Sequence, residues 1–357
     1  MRELSQKIKE YVTEHERRIG TLALILGAIF DWLTITKPDS LFGIVSLSSY
    51  MVIAGGCILL LNARSAREKE SPWLMILLQF CFGNLASGLL VLYSQSATLV
   101  GSWLFLLVLA GFLVGNEFAR KRYAMLRAHL IGFYILLSAY VGFMVPILLK
   151  KVGTEIFLLG SLLSLVFMVG YVALVFASAP SRVKGDWKGA LIGVLITTGV
   201  FNALYFLNFI PPVPLTLSEI SIFHSVERTG AGYEVVGEAH PHIYDIRAQL
   251  FPQFHIKGGE GAYCFSSVYA PVGLTAPIYH RFEQYDEKAG VWKTRSRIAF
   301  PISGGRNSGY RGYSFKSALE QGRWRCSVET ENGALVGRKT FTVSYVKEVP
   351  ALITEIR

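Results

Sequence analysis

The stretch FNALYFLNFIPPVPLT, residues 201–216, separates two parts of the sequence that differ in composition. Between Ile19 and Ile210, long apolar runs carry almost no charge, whereas the residues after Pro211 have the composition of a soluble protein. Three prolines within four residues make a stiff exit from the last apolar run. The sequence therefore predicts a membrane domain over residues 19–210 and a separate domain over residues 211–357.

The apolar runs before the prolines have the length of membrane spans. The whole chain is 52% hydrophobic and only 17% charged, whereas soluble domains carry about 25% charged residues. A bilayer core about 30 Å thick needs about 20 apolar residues per helix, and we therefore predict a polytopic α-helical membrane bundle of about seven transmembrane helices. Residues 1–18 precede it as a cytoplasmic tail, either amphipathic or solvated. The predicted spans are 19–36, 41–61, 72–93, 98–118, 126–149, 155–177 and 189–209.

The distribution of cations predicts how this bundle is oriented. Fifteen Lys and Arg residues lie in the N-terminal tail and in the loops on its side, against three on the other side, Lys37, Lys150 and Lys151. Because cations resist translocation, the N-terminus is expected in the cytoplasm. Seven crossings then place the C-terminal domain in the periplasm of a bacterial inner membrane. The net charge of +10 lies mostly in these short loops, so we expect the bilayer and no nucleic acid as a partner.

Asp31 is the candidate functional residue within the membrane. A carboxylate at the centre of a span costs about 2.5–3.5 kcal/mol, so such residues tend to be functional. In the predicted orientation Asp31 lies near the outer end of its helix, and contact with headgroups or water is the alternative interpretation. An ion pathway usually needs several ionisable groups at depth, so transport is not the first choice of function.

The pattern changes to period two in the C-terminal domain. Trp324, Cys326 and Val328 alternate with polar residues, and Asn332-Gly333 then predicts a type I′ hairpin turn. Short strands with frequent turns predict an all-β domain, a sandwich of the immunoglobulin-like kind. Further strands are predicted at 262–269, 278–285, 291–300, 313–318 and 341–345.

The cysteines and histidines of this domain suggest two kinds of site, a disulfide and a metal site. Cys264 and Cys326 fall in predicted strands 62 residues apart, and in an oxidising periplasm they form either a disulfide or two buried thiols. His240 and His242, with Asp245 nearby, are a weak metal-binding pattern, because no CxxC or HExxH motif accompanies them. We therefore predict neither a metal nor another cofactor.

Cations beside aromatic residues indicate a ligand-binding surface. Lys293 and two arginines alternate along one predicted strand, which places them on one face, and a Gly-rich stretch with further arginines and tyrosines follows. Such sets can hold anionic or sugar polymers, whereas a solvated strand face is the alternative. The candidate ligand-binding residues are Arg295, Arg297, Tyr310, Arg311 and Tyr313.

Several segments resemble a bacterial family known as domain of unknown function 2914. They are IYHRF at 278–282, GRWRC at 322–326, the Asn332-Gly333 turn and FTV at 341–343. The segment GNEF at 115–118 resembles the membrane part found with this domain. The family implies no known activity, cofactor or catalytic residue, so none is transferred to this chain.

The function expected from the sequence is that of a non-enzymatic, membrane-anchored envelope protein. Its periplasmic domain would bind a protein or an anionic or sugar polymer, because a β domain without a convergent catalytic set usually serves recognition. One alternative is a transporter or transport accessory subunit, which the multiple spans favour. The other is a membrane enzyme acting on lipid or sugar, for which a cleft would have to collect Asp31, Glu117 or the histidines.

The orientation can be tested with alkaline phosphatase, which is active only outside the cytoplasm. We expect a fusion after Thr216 to be active, because an odd number of crossings separates it from the cytoplasmic N-terminus. A fusion after Ala66, in a cation-rich loop, is the matched inactive control. A well-expressed but inactive Thr216 fusion would contradict the predicted topology.

Overall fold

The structure is a computed structural model and describes residues 25–35, 37–65, 72–118, 126–230, 232–239, 252–305 and 309–357. The chain forms two compact units, a helical N-terminal half and a C-terminal β-sheet region, which meet in sequence between Ile210 and Pro211. The proline-rich stretch is thus the point at which the chain changes from one unit to the other.

The helical unit contains several long apolar helices. Among the described residues, five segments are long and apolar enough to cross a membrane: Leu41–Arg64, Trp73–Gln95, Leu126–Leu149, Thr154–Ser178 and Trp187–Phe206. The apolar segments Ile25–Thr34 and Gly101–Asn116 are shorter. The helices are compatible with a membrane protein by length and composition. Their bounds are α1 Ile25–Thr34, α2 Leu41–Ser65, α3 Pro72–Gln95, α4 Leu99–Phe118, α5 Leu126–Leu149, α6 Thr154–Ser178 and α7 Pro180–Phe206.

Hydrogen bonds and small residues join the helices. The hydroxyl of Tyr93 on α3 donates to the carbonyl of Ala139 on α5 at 2.8 Å, and the hydroxyl of Tyr171 on α6 donates to Gly55 on α2 at 2.7 Å. A Cβ atom at Gly193 of α7 would overlap the Cδ1 and Cγ1 atoms of Ile131 on α5, so a larger residue there would have to displace that side chain. Such polar bonds and close contacts are the usual means of helix association in a membrane.

The described residues of the β-sheet region form three sheets. Their strand orders are β1-β5-β8, β4-β10-β9-β6-β7 and β11-β3-β2, and neighbours are antiparallel except β4 and β10. The bounds are β1 Thr216–Phe223, β2 Ser225–Thr229, β3 Gly232–Glu238, β4 Gln253–Ile256, β5 Ala262–Tyr269, β6 Thr275–Asp286, β7 Val291–Ser303, β8 Tyr310–Lys316, β9 Gly322–Thr330, β10 Leu335–Tyr345 and β11 Leu352–Ile356.

One core is shared by the five-stranded sheet and the sheet that contains β5. Cys264 of β5 packs with Phe282 of β6, Trp324 of β9 and Val343 of β10, all almost fully buried. Because side chains alternate along a strand, the residues between these core positions point to the other side of the five-stranded sheet. That side is called its outer side below.

The hairpin predicted at Asn332-Gly333 is present between β9 and β10, but its turn type is not the predicted one. A type I′ turn needs positive φ at both central residues. Gly333 has φ 83°, whereas Asn332 is not among the residues with positive φ. The amide of Thr330 donates to the carbonyl of Ala334 at 3.0 Å, so three residues form the loop. A three-residue loop with glycine in the left-handed region replaces the two-residue turn.

Cys264 on β5 and Cys326 on β9 are joined as a disulfide, with their Cα atoms 6.5 Å apart. The bond therefore links two sheets through their shared core. Cys57 and Cys81 are buried free thiols in the helical unit.

Thiol counting tests this pairing in the whole protein. Alkylation of the denatured, unreduced chain should modify only Cys57 and Cys81, and prior reduction should expose all four cysteines. C264S/C326S should destabilise the β domain by about 2–4 kcal/mol, since the bridge closes a long loop, while C57S/C81S is the matched control. Four modified cysteines without reductant would contradict the bridge.

Candidate functional site

Strand register brings a row of polar side chains across the outer side of the five-stranded sheet. Arg338 of β10 pairs with Ser327 of β9, Ser327 pairs with Arg281 of β6, and Arg281 pairs with Arg297 of β7. Neighbouring strands lie about 4.8 Å apart, so long arginine side chains in this row reach one another. The arginine face is defined here as this row together with the outward residues around it, Tyr279, Glu283, Tyr285, Trp292, Arg323, Arg325 and Glu329.

Two carboxylates on the arginine face are buried and paired with arginines. Glu329, with its side chain 2% exposed, lies 2.9 Å from Nε of Arg281 and 2.7 Å from Nε of Arg297. Glu283, 5% exposed, accepts two hydrogen bonds from Arg325, at 2.6 and 3.0 Å. A buried carboxylate is strongly disfavoured without such partners, so the pairs hold the arginines in place.

Aromatic rings lie beneath three of the arginines. The guanidinium carbon lies 3.8 Å from the ring centroid of Tyr279 for Arg297, and 4.4 Å from that of Trp292 for Arg325. Arg323 lies 3.8 Å from the centroid of Tyr285. Hydrogen bonds hold these stacked guanidinium groups as well: Arg297 also donates to the carbonyls of Thr330 and Glu331, at 3.0 and 2.8 Å, and Arg323 donates to Glu287 at 3.0 Å. The arginine face is therefore a set of cations with fixed positions.

The residues predicted to bind a ligand are divided between two sheets. Arg297 lies on the arginine face, whereas Tyr310, Arg311 and Tyr313 lie on β8, in the sheet with β5. Tyr310 packs against the core, and Tyr313 contacts the rings of Tyr233 and Tyr263 at centroid distances of 5.9 Å. The structure does not bring these residues together with Arg297.

The expectation that Lys293, Arg295 and Arg297 share one face is wrong. Register shifts between Phe282 and Glu283, so that Arg295 is the extra residue of a β-bulge. Arg295 donates to Oε1 of Gln284 at 3.0 and 2.7 Å, and Gln284 pairs with the core residue Trp324. The bulge thus turns Lys293 and Arg295 to the side opposite Arg297.

Sequence analysis missed most residues of the arginine face. Arg281, Arg325 and Arg338, together with Glu283 and Glu329, come from three strands that are distant in sequence. The alternation of Arg323 and Arg325 with core residues was visible, but it does not show which strand lies beside β9. Only the pairing of the strands reveals the cluster.

A buried histidine connects the same two sheets as the disulfide. His280 is fully buried, and its Nε2 and Nδ1 atoms each lie 2.8 Å from a serine hydroxyl, that of Ser266 and that of Ser314. Burial lowers the pKa of His280 to about 3. One ring nitrogen of His280 and the sulfurs of Cys264 and Cys326 lie within 4.8 Å of one another. Because the disulfide uses both sulfurs and the serines occupy both nitrogens, this arrangement is structural.

A second polar cluster joins β3 to β4. Glu238 accepts a hydrogen bond from the backbone N–H of His255 at 2.6 Å, and its other oxygen lies 2.8 Å from Nδ1 of that histidine. Nε2 of His224 lies 3.4 Å from the same carboxylate. Burial alone would raise the pKa of Glu238, but these hydrogen bonds outweigh it and hold the pKa below its usual range. The cluster links Glu238, the last residue of β3, to His255 of β4.

Two other candidates from the sequence are placed differently. Asp31 lies on α1 of the helical unit and is buried, with 4% exposure. His240, His242 and Asp245 lie outside the described residues.

The matched family coincides with the strands that carry the arginine face. Residues 275–343 match the model of a family described as a protein of unknown function (DUF2914), which confirms the resemblance seen in the sequence over that segment. The match runs from the start of β6 into β10 and includes all residues of the arginine face. No curated protein matches the chain in sequence.

Similarity to solved structures is low. A β-glucosidase from Listeria innocua in complex with gluconolactone is 10% identical with a TM-score of 0.20, covering 36% of this chain and 16% of its own. A β-D-glucoside glucohydrolase from Trichoderma reesei is 12% identical with a TM-score of 0.20, and the match covers 40% of this chain and 22% of that enzyme. A Pseudomonas fluorescens alkylpurine DNA glycosylase bound to DNA is 10% identical with a TM-score of 0.24, and the match covers 86% of this chain and 99% of that enzyme. At these scores none supports a shared function, and this chain spans only a small part of the glucosidases.

The low pKa of His280 predicts a pH dependence of stability. An unfolded histidine has a pKa of about 6.5, so below that pH the unfolded chain binds a proton that folded His280 does not. The free energy of unfolding should therefore fall as pH decreases, by about 1.4 kcal/mol per unit, until the folded pKa is approached. Thermal unfolding followed by tryptophan fluorescence between pH 7 and pH 4.5 checks this.

H280Q should weaken the β domain at neutral pH but remove this contribution to the pH dependence. H255Q, at a partly exposed histidine of the same domain, is the control and should retain it. Parallel pH profiles for the wild type and H280Q would contradict the assignment.

Proposed function

We propose that this protein is a non-enzymatic recognition protein of the bacterial inner membrane. Its helices anchor it, and its periplasmic domain, an immunoglobulin-like sandwich, binds an anionic polymer of the cell envelope through the arginine face. The observation that carries this proposal is the excess of guanidinium groups on that face. The face has five arginines but only three paired carboxylates, Glu283, Glu287 and Glu329.

The arrangement suits an extended anion better than a neutral ligand. Guanidinium groups spread across four strands can contact several charged groups of one chain at once, and each contact is strengthened by charge. The buried ion pairs and the stacked rings fix the arginines before binding, so little side-chain entropy is lost on association.

Retention of the full-length protein in detergent on immobilised polygalacturonate tests the proposal. R297Q/R323Q removes two cations, and Glu329 keeps Arg281 as its partner. We expect the variant to bind about tenfold more weakly, a loss of about 1.4 kcal/mol. The difference should be larger at low salt, because ions screen exposed charges.

R311Q/K316Q, on β8 of the other sheet, is the matched control because it removes the same charge. Equal losses in the two variants would mean that only net charge matters. Absence of salt-dependent retention of the wild type would overturn the proposal.

A further inference from the structure

Arg338 differs from its neighbours on the arginine face. Its Nε donates to Oγ of Ser327 at 2.9 Å, and Ser327 is fully buried. Arg281, Arg297 and Arg325 each have a carboxylate partner, but Arg338 has none among the described residues. A half-buried guanidinium held by one hydroxyl keeps most of its N–H donors available to a ligand.

The surroundings of Arg338 leave positive charge uncompensated. It shares a row with Arg281, and Arg325 lies diagonally from it on the adjacent strand, at the distance at which long side chains interact. Glu283 and Glu329 already pair with the other arginines. Burial, and then repulsion by Arg325, lowers the pKa of Arg338, although Glu283 opposes this. A bound anion would stabilise the charged form of Arg338 against both burial and the repulsion by Arg325.

The number of charges indicates the kind of anion. The five arginines of the face and the three carboxylates that pair with them, Glu283, Glu287 and Glu329, leave an excess of two positive charges. A carboxylate ligand would neutralise one of them, whereas a phosphate monoester carries a charge of about −1.5 to −2 at neutral pH. Its oxygens also match the fork of N–H donors that arginine presents.

We propose that Arg338, with Arg281 and Arg325, forms a specific site for one phosphate monoester group carried by the envelope polymer. This inference rests on the proposed function and names the group that the arginine face selects. Ser327 orients Arg338 through its Nε, which leaves the outer N–H groups of the guanidinium for the phosphate oxygens.

Titration of the full-length protein in detergent with glycerol 3-phosphate tests the site. One equivalent should bind, and binding should strengthen as pH rises through about 6, where the monoester becomes a dianion. R338Q should weaken binding at least tenfold. R338K keeps the charge but loses the planar fork, so its affinity should be intermediate. K316Q is the control on the other sheet and should bind like the wild type.

The outcomes separate this inference from the proposed function. If polygalacturonate retention depends on the arginine face but glycerol 3-phosphate does not bind, the phosphate site is wrong and the recognition function stands. Equal phosphate affinity of R338Q and the wild type would also overturn the site. Intermediate affinity of R338K would show that the loss of affinity in R338Q is not caused by loss of folding. If the wild type binds neither the polymer nor glycerol 3-phosphate, both proposals are overturned.

Discussion

Two buried carboxylates, Glu283 and Glu329, determine how the outer side of the five-stranded sheet is built. A carboxylate removed from water must be paired with a cation and hydrogen-bonded, or the fold loses several kcal/mol. Each glutamate here is held by arginine from a neighbouring strand. The pairing therefore fixes arginine positions on β6, β7 and β9 together, and the surface that a ligand would meet is set by these interior requirements.

The same strands that carry the arginine face also carry the links through the core. On β6, His280 points inward to two serines, while Arg281 and Glu283 point outward. On β9, Cys326 points inward to the disulfide, while Arg325 points outward. Because adjacent residues of one strand serve both sides, a shift of β6 or β9 by one residue would disrupt the core and the face together. Core packing thus keeps the arginines in register.

Alternation in the sequence located six of the eleven described strands, but it missed β1, β2, β3, β4 and β11 and did not show how the strands pair. Alternation predicted β5 with its observed bounds and located β6, β7, β9 and β10, since a half-buried strand has a period of two. It could not show that Glu283 lies beside Arg325, because this pair is separated by 42 residues and depends on strand order. The bulge at Arg295 was also invisible, and it reversed the side on which Lys293 and Arg295 lie. A prediction from a period of two assumes that every residue of the strand is paired in the sheet. A single extra residue therefore reverses the predicted side of the residues beyond it.

The choice of arginine has consequences for how such a face would work in the periplasm. Arginine stays charged at any physiological pH and stacks on rings, whereas lysine does neither as well. Affinity would therefore follow the charge of the polymer and the salt concentration rather than the titration of the protein. In the proposed topology, the helical anchor keeps the β domain close to the membrane surface. Anchoring raises the effective concentration of the face near envelope polymers, so individual contacts need only modest strength. This combination of a fixed cationic face with a membrane anchor favours reversible binding to a ligand that is abundant and extended.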